Sequence, residues 1–182
     1  NDAFSASHRN HASITGITNF LPSLAGIRLT NEITNLNKII NNPKKPITAI
    51  IGGSKISTKI ELLNNLVEYF DNIIIGGAMA NTFIFAKGFD IGKSLCEKQM
   101  INSANEILNK AANYNCNLIL PEDVVCADNI KDFKSVRQCK IENILSNQMA
   151  LDIGSQTIKI MNKIILESNM ILWNGPLGAF EY

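Results

Sequence analysis

The sequence predicts an α/β protein whose parallel sheet is doubly wound. Four short apolar runs show no polar alternation, which is typical of strands that are buried on both faces. Helical patterns alternate with these runs, as in parallel sheets with right-handed crossovers. Three of the runs end in glycine-rich turns, where such sheets bind ligands. The predicted strands are residues 47–51, 72–75, 117–120 and 170–173.

Three helices are predicted between these strands from their start signals and apolar stripes. The pattern Thr58-x-x-Glu61 is a capping box that opens the first, which runs to about residue 69. Ser94 begins a similar pattern that extends to about residue 114. Ser155 is expected to cap the third helix. The apolar face of that third helix comprises Ile158, Met161, Ile164 and Ile165.

The chain divides into segments of different character. Residues 1–26 show no strong period, and a helix is expected over about 30–40, before the proline-containing breaker at 41–46. We therefore expect residues 1–26 to be the tail of one domain, 27–42 an interdomain helix and 43–182 a second domain. Because the chain begins without methionine and stops just after a glycine-rich loop, we expect a fragment of a longer protein.

Composition and charge limit the classes of function. Of 182 residues, 46% are hydrophobic and 18% charged, which is typical of a globular protein and excludes a disordered or collagenous chain. The net charge of +1 predicts no general attraction to nucleic acid or an anionic membrane. No apolar run has the length of a membrane span, and the first residues lack a signal-peptide pattern. Four scattered cysteines without a C-x-x-C pair predict buried thiols in a reducing compartment.

Glycine-rich turns follow three predicted strands, at residues 52–55, 76–78 and 174–178. Glycine lets a backbone approach a ligand closely, although it also simply makes tight turns. Lys55 and Lys59 flank the predicted helix start after the first turn, where a helix N-terminus attracts anions and disfavours cations. This arrangement favours phosphate binding, with two solvated surface lysines as the alternative. Neither a P-loop nor a G-x-G-x-x-G fingerprint is present.

The segment His8-Arg9-Asn10-His11 is a second candidate. Two histidines three apart could suggest a metal, but no third ligand is apparent. Arg9 is the better candidate, because its planar fork suits a carboxylate or a phosphate. A plain surface arginine is the alternative. No Ser-His-Asp or Cys-His arrangement is visible. Glu122 and Asp123 follow a predicted strand and are expected to cap or solvate a loop, with contact to a site as the alternative.

Six segments, in the same order, closely resemble phosphoglycerate kinases from end to end. The segments are NDAF at 1–4, HRNHAS at 8–13, IIGGSKISTKI at 50–60, IIGGAMA at 74–80, LPEDVV at 120–125 and WNGPLGAFE at 173–181. The resemblance implies part of a two-domain kinase, with a Rossmann-like sheet that is incomplete at both ends. It also makes residues 1–26 the tail of the phosphoglycerate-binding amino-terminal domain.

The activity implied is reversible phosphoryl transfer between 1,3-bisphosphoglycerate and ADP, giving 3-phosphoglycerate and ATP in glycolysis. This is a phosphotransferase with a carboxyl group as acceptor, which uses ATP/ADP as the Mg²⁺ complex. The resemblance implies a cytoplasmic monomer that acts on small molecules and binds neither nucleic acid nor membrane. A nucleotide-binding module without catalysis, or an inactive fragment, is the alternative.

Site residues follow from the resemblance position by position. Arg9, with His8 beside it, matches the arginine that binds phosphoglycerate, and Lys55 matches the lysine that follows the transferring phosphoryl group. Lys59 matches the lysine that holds the nucleotide phosphates, and Glu181 lies toward the ribose. The other matched nucleotide-site positions are Gly53, Ser54, Gly76, Gly77, Ala150, Leu151, Asn174, Pro176, Gly178 and Ala179.

The chain departs from the family pattern at four positions, Ser5, Ser54, Ala78 and Ala150. Ala150 replaces a common glycine, so its methyl group is expected to narrow the adenine pocket. The amino-terminal segment with further arginines, and the late Gly-Gly-Gly-Asp-Thr loop whose aspartate helps to hold the metal, do not occur in these 182 residues. We therefore expect no metal ligand in this chain, and no activity of the fragment alone.

Overall fold

The computed structural model describes residues 1–132 and 134–181, which form two compact units, 1–44 and 45–182. The first unit has short helical turns and one long helix, α1, at Ile27–Asn41. Asp2 stabilises the start of α1, because its Oδ1 accepts the N–H of Leu29 at 3.0 Å. This cap comes from a distant part of the sequence, so α1 begins before residue 30, where the local pattern predicts its start. The turns occupy Phe4–Ala6, Ala12–Gly16 and Ile17–Asn19.

A four-stranded parallel sheet forms the centre of the second unit, in the order β3-β2-β1-β7. Its strands are β1 at Ile47–Ile51, β2 at Asn72–Ile75, β3 at Asn117–Ile119 and β7 at Met170–Asn174. All four predicted strands are confirmed, with β3 one residue shorter and β7 one residue longer than predicted. Because β2 and β3 follow β1 to one side while β7 lies on the other, the sheet has a switch point between β1 and β7. A switch point opens a crevice at the carboxyl ends of the strands.

Helices cover this sheet, which confirms the α/β prediction. Ile50 and Ile74 pack against Met161 on one face. Alternate strand residues such as Ala49 and Ile73 point to the opposite face and are also fully buried. Burial on both faces explains why these strands lack polar alternation. The helices of this unit are α2 at Ile60–Tyr69, α3 at Ala78–Ala86, α4 at Ile101–Asn113 and α5 at Ser155–Glu167.

The predicted starts of α2 and α4 are wrong. No side-chain hydrogen bond caps the start of α2, and the Thr58 hydroxyl donates to the Lys55 carbonyl at 2.9 Å. α4 begins at Ile101, after a 3₁₀ turn, and not at Ser94. The Ser94 hydroxyl donates to the Ile91 carbonyl and accepts the N–H of Ala150 at 2.8 Å, so its oxygen serves the second sheet and not a helix start. Both patterns contain capping residue types whose side chains make other hydrogen bonds.

One helix and one sheet have no counterpart in the sequence-based prediction. Six of the nine residues of α3 are buried, so it lacks the apolar and polar faces that reveal a helix in a sequence. The second sheet is antiparallel, with strand order β5-β4-β6. Its strands are short and partly exposed, which gives weak patterns. They are β4 at Asp123–Ala127, β5 at Arg137–Lys140 and β6 at Met149–Ile153.

Asp123 joins this second sheet to α5. Its carboxylate accepts the backbone N–H of Gln156 at 3.0 Å and of Thr157 at 2.7 Å, and a further hydrogen bond from Gln138 at 2.7 Å. Burial alone would raise the pKa of Asp123, but these hydrogen bonds hold it below its ordinary value. Asp123 therefore caps the first turn of α5, and Ser155, which was predicted to be the cap, does not.

We predict that Asp123→Ala lowers the free energy of unfolding by about 1.5–3 kcal/mol at pH 7, as loss of charged hydrogen bonds does. Because the folded-state pKa lies below the unfolded one, this stabilisation is present above pH ~4 and is lost as pH falls through the folded-state pKa. Urea unfolding of wild type and variant from pH 7 downward measures the difference. Glu122→Ala, at the exposed neighbouring carboxylate, is the control; an equal effect of both variants would contradict the cap.

Candidate functional site

Three glycine-rich loops meet at the carboxyl ends of β1, β2 and β7. The N–H of Gly52 donates to the Asn174 carbonyl at 2.9 Å, which joins the loop after β1 to the loop after β7. The N–H of Gly77 donates to the Leu177 carbonyl at 2.6 Å, which joins the loops after β2 and β7. The sequence predicts these turns at one edge of the sheet, and in the structure they also hydrogen-bond to one another.

Glycine is required at this junction by close packing. A Cβ atom on Gly52 would lie 1.9 Å from the Pro176 carbonyl oxygen, far inside any allowed contact. Gly77 and Gly175 adopt φ values of 69° and 93°, which residues with side chains rarely adopt. Replacement of these glycines would therefore separate the loops or strain the backbone.

Lys59 lies at the switch point between β1 and β7. Its ammonium donates to the Gly52 carbonyl at 2.7 Å and to the backbone and side-chain oxygens of Asn174. Partial burial lowers the pKa of Lys59. Among residues 1–132 and 134–181, the hydrogen-bond partners of this ammonium are carbonyl and amide oxygens and include no carboxylate, so dipoles stabilise its positive charge there. An anion at this position would favour the charged ammonium.

Lys55 differs from Lys59 in its surroundings. Its side chain is exposed, at the point where the loop leaves the glycine turn. Ile56, the next residue, is fully buried and fixes the loop against the body of the unit. Lys55 thus extends an exposed charge from a fixed backbone position, whereas Lys59 is held between two strand ends.

A cleft of about 400 Å³ opens beside the glycine loops. Its walls include many apolar groups, and Glu181 contributes a carboxylate at one end. Gly77 and Ala78 lie at the N-terminus of α3, so this wall carries the partial positive charge of a helix start. The lining residues that the sequence predicted are Gly53, Ser54, Gly77, Ala150, Leu151, Pro176, Gly178, Ala179 and Glu181.

The remaining predicted residues lie outside the lining of the cleft. Gly76 packs against Leu177, whose side chain a Cβ on Gly76 would meet. Lys59 and Asn174 bind each other beside the cleft. Arg9 and His8 belong to the first unit, where both side chains are exposed.

Five lining residues were not predicted as site residues: Ala78, Leu95, Ile130, Met149 and Phe180. Phe180 lies within a recognised segment, so its neighbours Ala179 and Glu181 are the signal that could have found it. Leu95 falls in a stretch that the sequence predicted as helix, and Met149 begins an unpredicted strand. Their positions depend on long-range pairing, which a sequence pattern does not reveal.

The structure offers no ready metal centre in the parts of the chain that it describes. Among residues 1–132 and 134–181, no three His, Cys, Asp or Glu side chains are grouped so that they could hold a metal ion. Over the same ranges, none of the helices has both the length and the apolar character needed to cross a membrane.

The fold and the site define an α/β protein with two lysines and a cleft at the switch point of a parallel sheet. The phosphoglycerate kinase family model matches residues 1–182. The chain therefore belongs to the phosphoglycerate kinase family.

Individual relatives agree with this assignment. Phosphoglycerate kinase of Mesorhizobium japonicum is 47% identical over 184 residues, which cover 100% of this chain and 46% of the relative. That of Bartonella bacilliformis is 46% identical over 181 residues, covering 100% and 45%. The chain thus spans less than half the length of these curated relatives.

Solved structures agree in fold. Phosphoglycerate kinase from Coxiella burnetii superimposes with a TM-score of 0.89 at 41% identity, covering 99% of this chain and 46% of that one. Phosphoglycerate kinase from Pyrococcus horikoshii OT3 gives a TM-score of 0.84 at 29% identity, covering 100% and 46%. The two-domain kinase architecture that the sequence predicted is the architecture of this family.

Proposed function

We propose that this chain is the nucleotide-binding part of a phosphoglycerate kinase, an enzyme of glycolysis that transfers a phosphoryl group between 1,3-bisphosphoglycerate and ADP. The observation that carries the proposal is Lys59, whose ammonium lies at the switch point beside an apolar cleft and is held by carbonyl and amide oxygens of Gly52 and Asn174. The proposed reaction is that of the family to which the chain belongs. The site offers lysines for the phosphates of an adenine nucleotide and an apolar cleft for its base.

In the proposed complex, the adenine lies in the apolar cleft and the phosphates extend toward the lysines. Leu95, Met149 and Leu151 offer apolar contact to the base, while the Glu181 carboxylate can accept hydrogen bonds from ribose hydroxyls. The start of α3 at Gly77–Ala78 favours the phosphates through the partial positive charge of a helix N-terminus. The methyl group of Ala150 lies in the cleft wall and reduces the room for the base.

The two lysines take different parts in this proposal. Lys59 is held by the carbonyl of Gly52 and by Asn174, so it supplies a fixed charge to the nucleotide phosphates. Lys55 is exposed and can follow the phosphoryl group as it moves between donor and acceptor. Phosphoryl transfer depends chiefly on positioning and on stabilising negative charge, and both lysines serve that need.

Arg9, with His8 beside it, is proposed to bind the phosphoglycerate. Its guanidinium is exposed in the first unit and suits a carboxylate or a phosphate. Residues 1–26 are then the tail of the amino-terminal domain, 27–42 the interdomain helix and 43–182 the nucleotide-binding domain. In the family reaction the two domains close over the reactants.

Magnesium is proposed to arrive bound to the nucleotide phosphates. Where it binds, it neutralises phosphate charge, which favours transfer. No aspartate of this chain is assigned to it.

The four cysteines are free thiols in the described structure, which fits the proposed reducing cytoplasm. A monomer acting on small molecules is the proposed state.

A second candidate is nucleotide binding without transfer by these 182 residues alone. The observation that favours it is length, since the chain covers only 45% of a curated relative. Assays of the 182-residue chain beside the complete gene product separate the two candidates. We expect transfer activity in the complete gene product only.

We predict that Lys59→Ala weakens ADP binding roughly tenfold to a hundredfold, as loss of a charged hydrogen bond does, and leaves adenosine binding nearly unchanged. The reason is that Lys59 serves the phosphates and not the base. Calorimetric titration of the complete gene product with each ligand measures this. Lys163→Ala, at an exposed lysine on α5, is the charge-matched control and should change neither affinity. Equal losses for ADP and adenosine would make Lys59 a structural residue.

We also predict that Arg9→Lys raises the Michaelis constant for 3-phosphoglycerate and leaves that for ATP little changed. Lysine keeps the charge but loses the planar fork that matches a carboxylate or phosphate. Steady-state kinetics of the complete gene product, with each substrate varied in turn, measures both constants. A change confined to ATP would contradict the assignment of Arg9.

A further inference from the structure

Residues 94–97, named here the bridging segment, connect the cleft to the lysine loop. At one end, the Ser94 hydroxyl accepts the N–H of Ala150, in the cleft wall, at 2.8 Å. Leu95 itself lines the cleft. At the other end, Glu97 reaches the loop that carries both lysines. This short segment thus contacts the proposed base pocket through Ser94 and Leu95, and the loop of the proposed phosphate site through Glu97.

The contact with the lysine loop is made by the Glu97 carboxylate. One oxygen accepts the Ser57 N–H at 2.9 Å and the other accepts the Ser57 hydroxyl at 2.6 Å. Ser57 lies midway between Lys55 and Lys59. This two-pronged contact fixes both the backbone and the side chain at the centre of the loop.

Electrostatics favour the charged form of Glu97. Burial alone would raise its pKa, but hydrogen bonds from Ser57 and from the Ile56 backbone, with the nearby charge of Lys55, lower it. Glu97 is therefore a carboxylate at neutral pH, and its hydrogen bonds to the loop are charge-assisted.

Glu97 is itself held by α3, the helix that begins at the second glycine turn. The Glu97 N–H donates to the Thr82 hydroxyl at 3.2 Å, and the Asn81 side chain donates to the Leu95 carbonyl at 3.1 Å. Thr82 and Asn81 are buried polar residues, 1% and 3% exposed. Their hydrogen bonds fix the bridging segment to a rigid element, which makes Glu97 a fixed support for the loop.

We propose that Glu97 is a positioning residue for phosphoryl transfer, which holds Ser57 so that Lys55, two residues away, stands at the right distance from the transferring group, while Lys59 is held separately by Gly52 and Asn174. The role rests on the proposed function of the site. Glu97 touches neither substrate in this proposal; it acts through the loop. A misplacement of about 1 Å in a catalytic group can lower the rate roughly a hundredfold. We therefore expect loss of the Glu97 contact to lower turnover.

The test uses Glu97→Gln and Ser57→Ala, singly and together, in the complete gene product. Glutamine keeps the size of the side chain but loses one acceptor and the charge. We expect Glu97→Gln to lower kcat roughly tenfold or more while the affinity for ADP, measured by calorimetry, changes less than about threefold. Ser57→Ala should lower kcat in the same direction. The kcat of the double variant should be no lower than that of Glu97→Gln, because both changes disrupt the same contact between Ser57 and Glu97.

Controls keep the outcomes distinct. Glu106→Gln, at an exposed carboxylate on α4, should leave kcat unchanged. If Glu97→Gln does not fold, Ser57→Ala decides alone, since its side chain is exposed on a loop. Wild-type kcat in Ser57→Ala and in a folded Glu97→Gln would overturn the positioning role and leave the proposed function intact. A wild-type gene product without transfer activity would overturn both.

Additive losses in the double variant, or equal losses of kcat and ADP affinity, would also overturn the positioning role. Additive losses would mean that the two side chains act separately. Equal losses would mean that Glu97 supports ground-state binding or general stability. Only a fall in kcat without a matching fall in ADP affinity, seen in both Glu97→Gln and Ser57→Ala, fits the positioning role.

Discussion

The close approach of the loops after β1 and β7 is the constraint on which the site depends. Gly52 lies against Pro176, and the Lys59 ammonium binds oxygens from both loops. A side chain at Gly52 would separate the two loops, and Lys59 would then lose one set of partners. One backbone contact therefore maintains the crevice at the switch point, the cleft beside it and the position of the Lys59 charge.

Much of this arrangement could be predicted from the sequence, because its signals are local. β1 and β2 are mostly apolar runs without polar alternation, and glycines mark the turns that follow them, so the sheet and its ligand-binding edge were both predictable. The spacing of Lys55 and Lys59 beside the first turn pointed to an anion. Recognition of six ordered segments then supplied the family and the residue roles.

The rest could not be predicted, because its causes are distant in sequence. α3 is almost wholly buried and shows no amphipathic pattern, and Asp123 caps a helix that begins 32 residues later at Ser155. Ser94 and Glu97 looked like a helix start, yet their side chains bind Ala150 and Ser57. A capping residue type predicts a local hydrogen bond, and tertiary structure can redirect that side chain to a partner that no local pattern contains.

The most direct test of this account is Gly52→Ala in the complete gene product. A Cβ 1.9 Å from the Pro176 oxygen forces a backbone shift, so we expect unfolding to be easier by about 1–3 kcal/mol and ADP affinity to fall at least roughly tenfold. Gly16→Ala, whose Cβ would meet only the Ala12 side chain at 3.7 Å, should change stability by no more than about 0.5 kcal/mol. Wild-type ADP affinity in Gly52→Ala, measured by calorimetry, would contradict the claim that the contact between these loops builds the site.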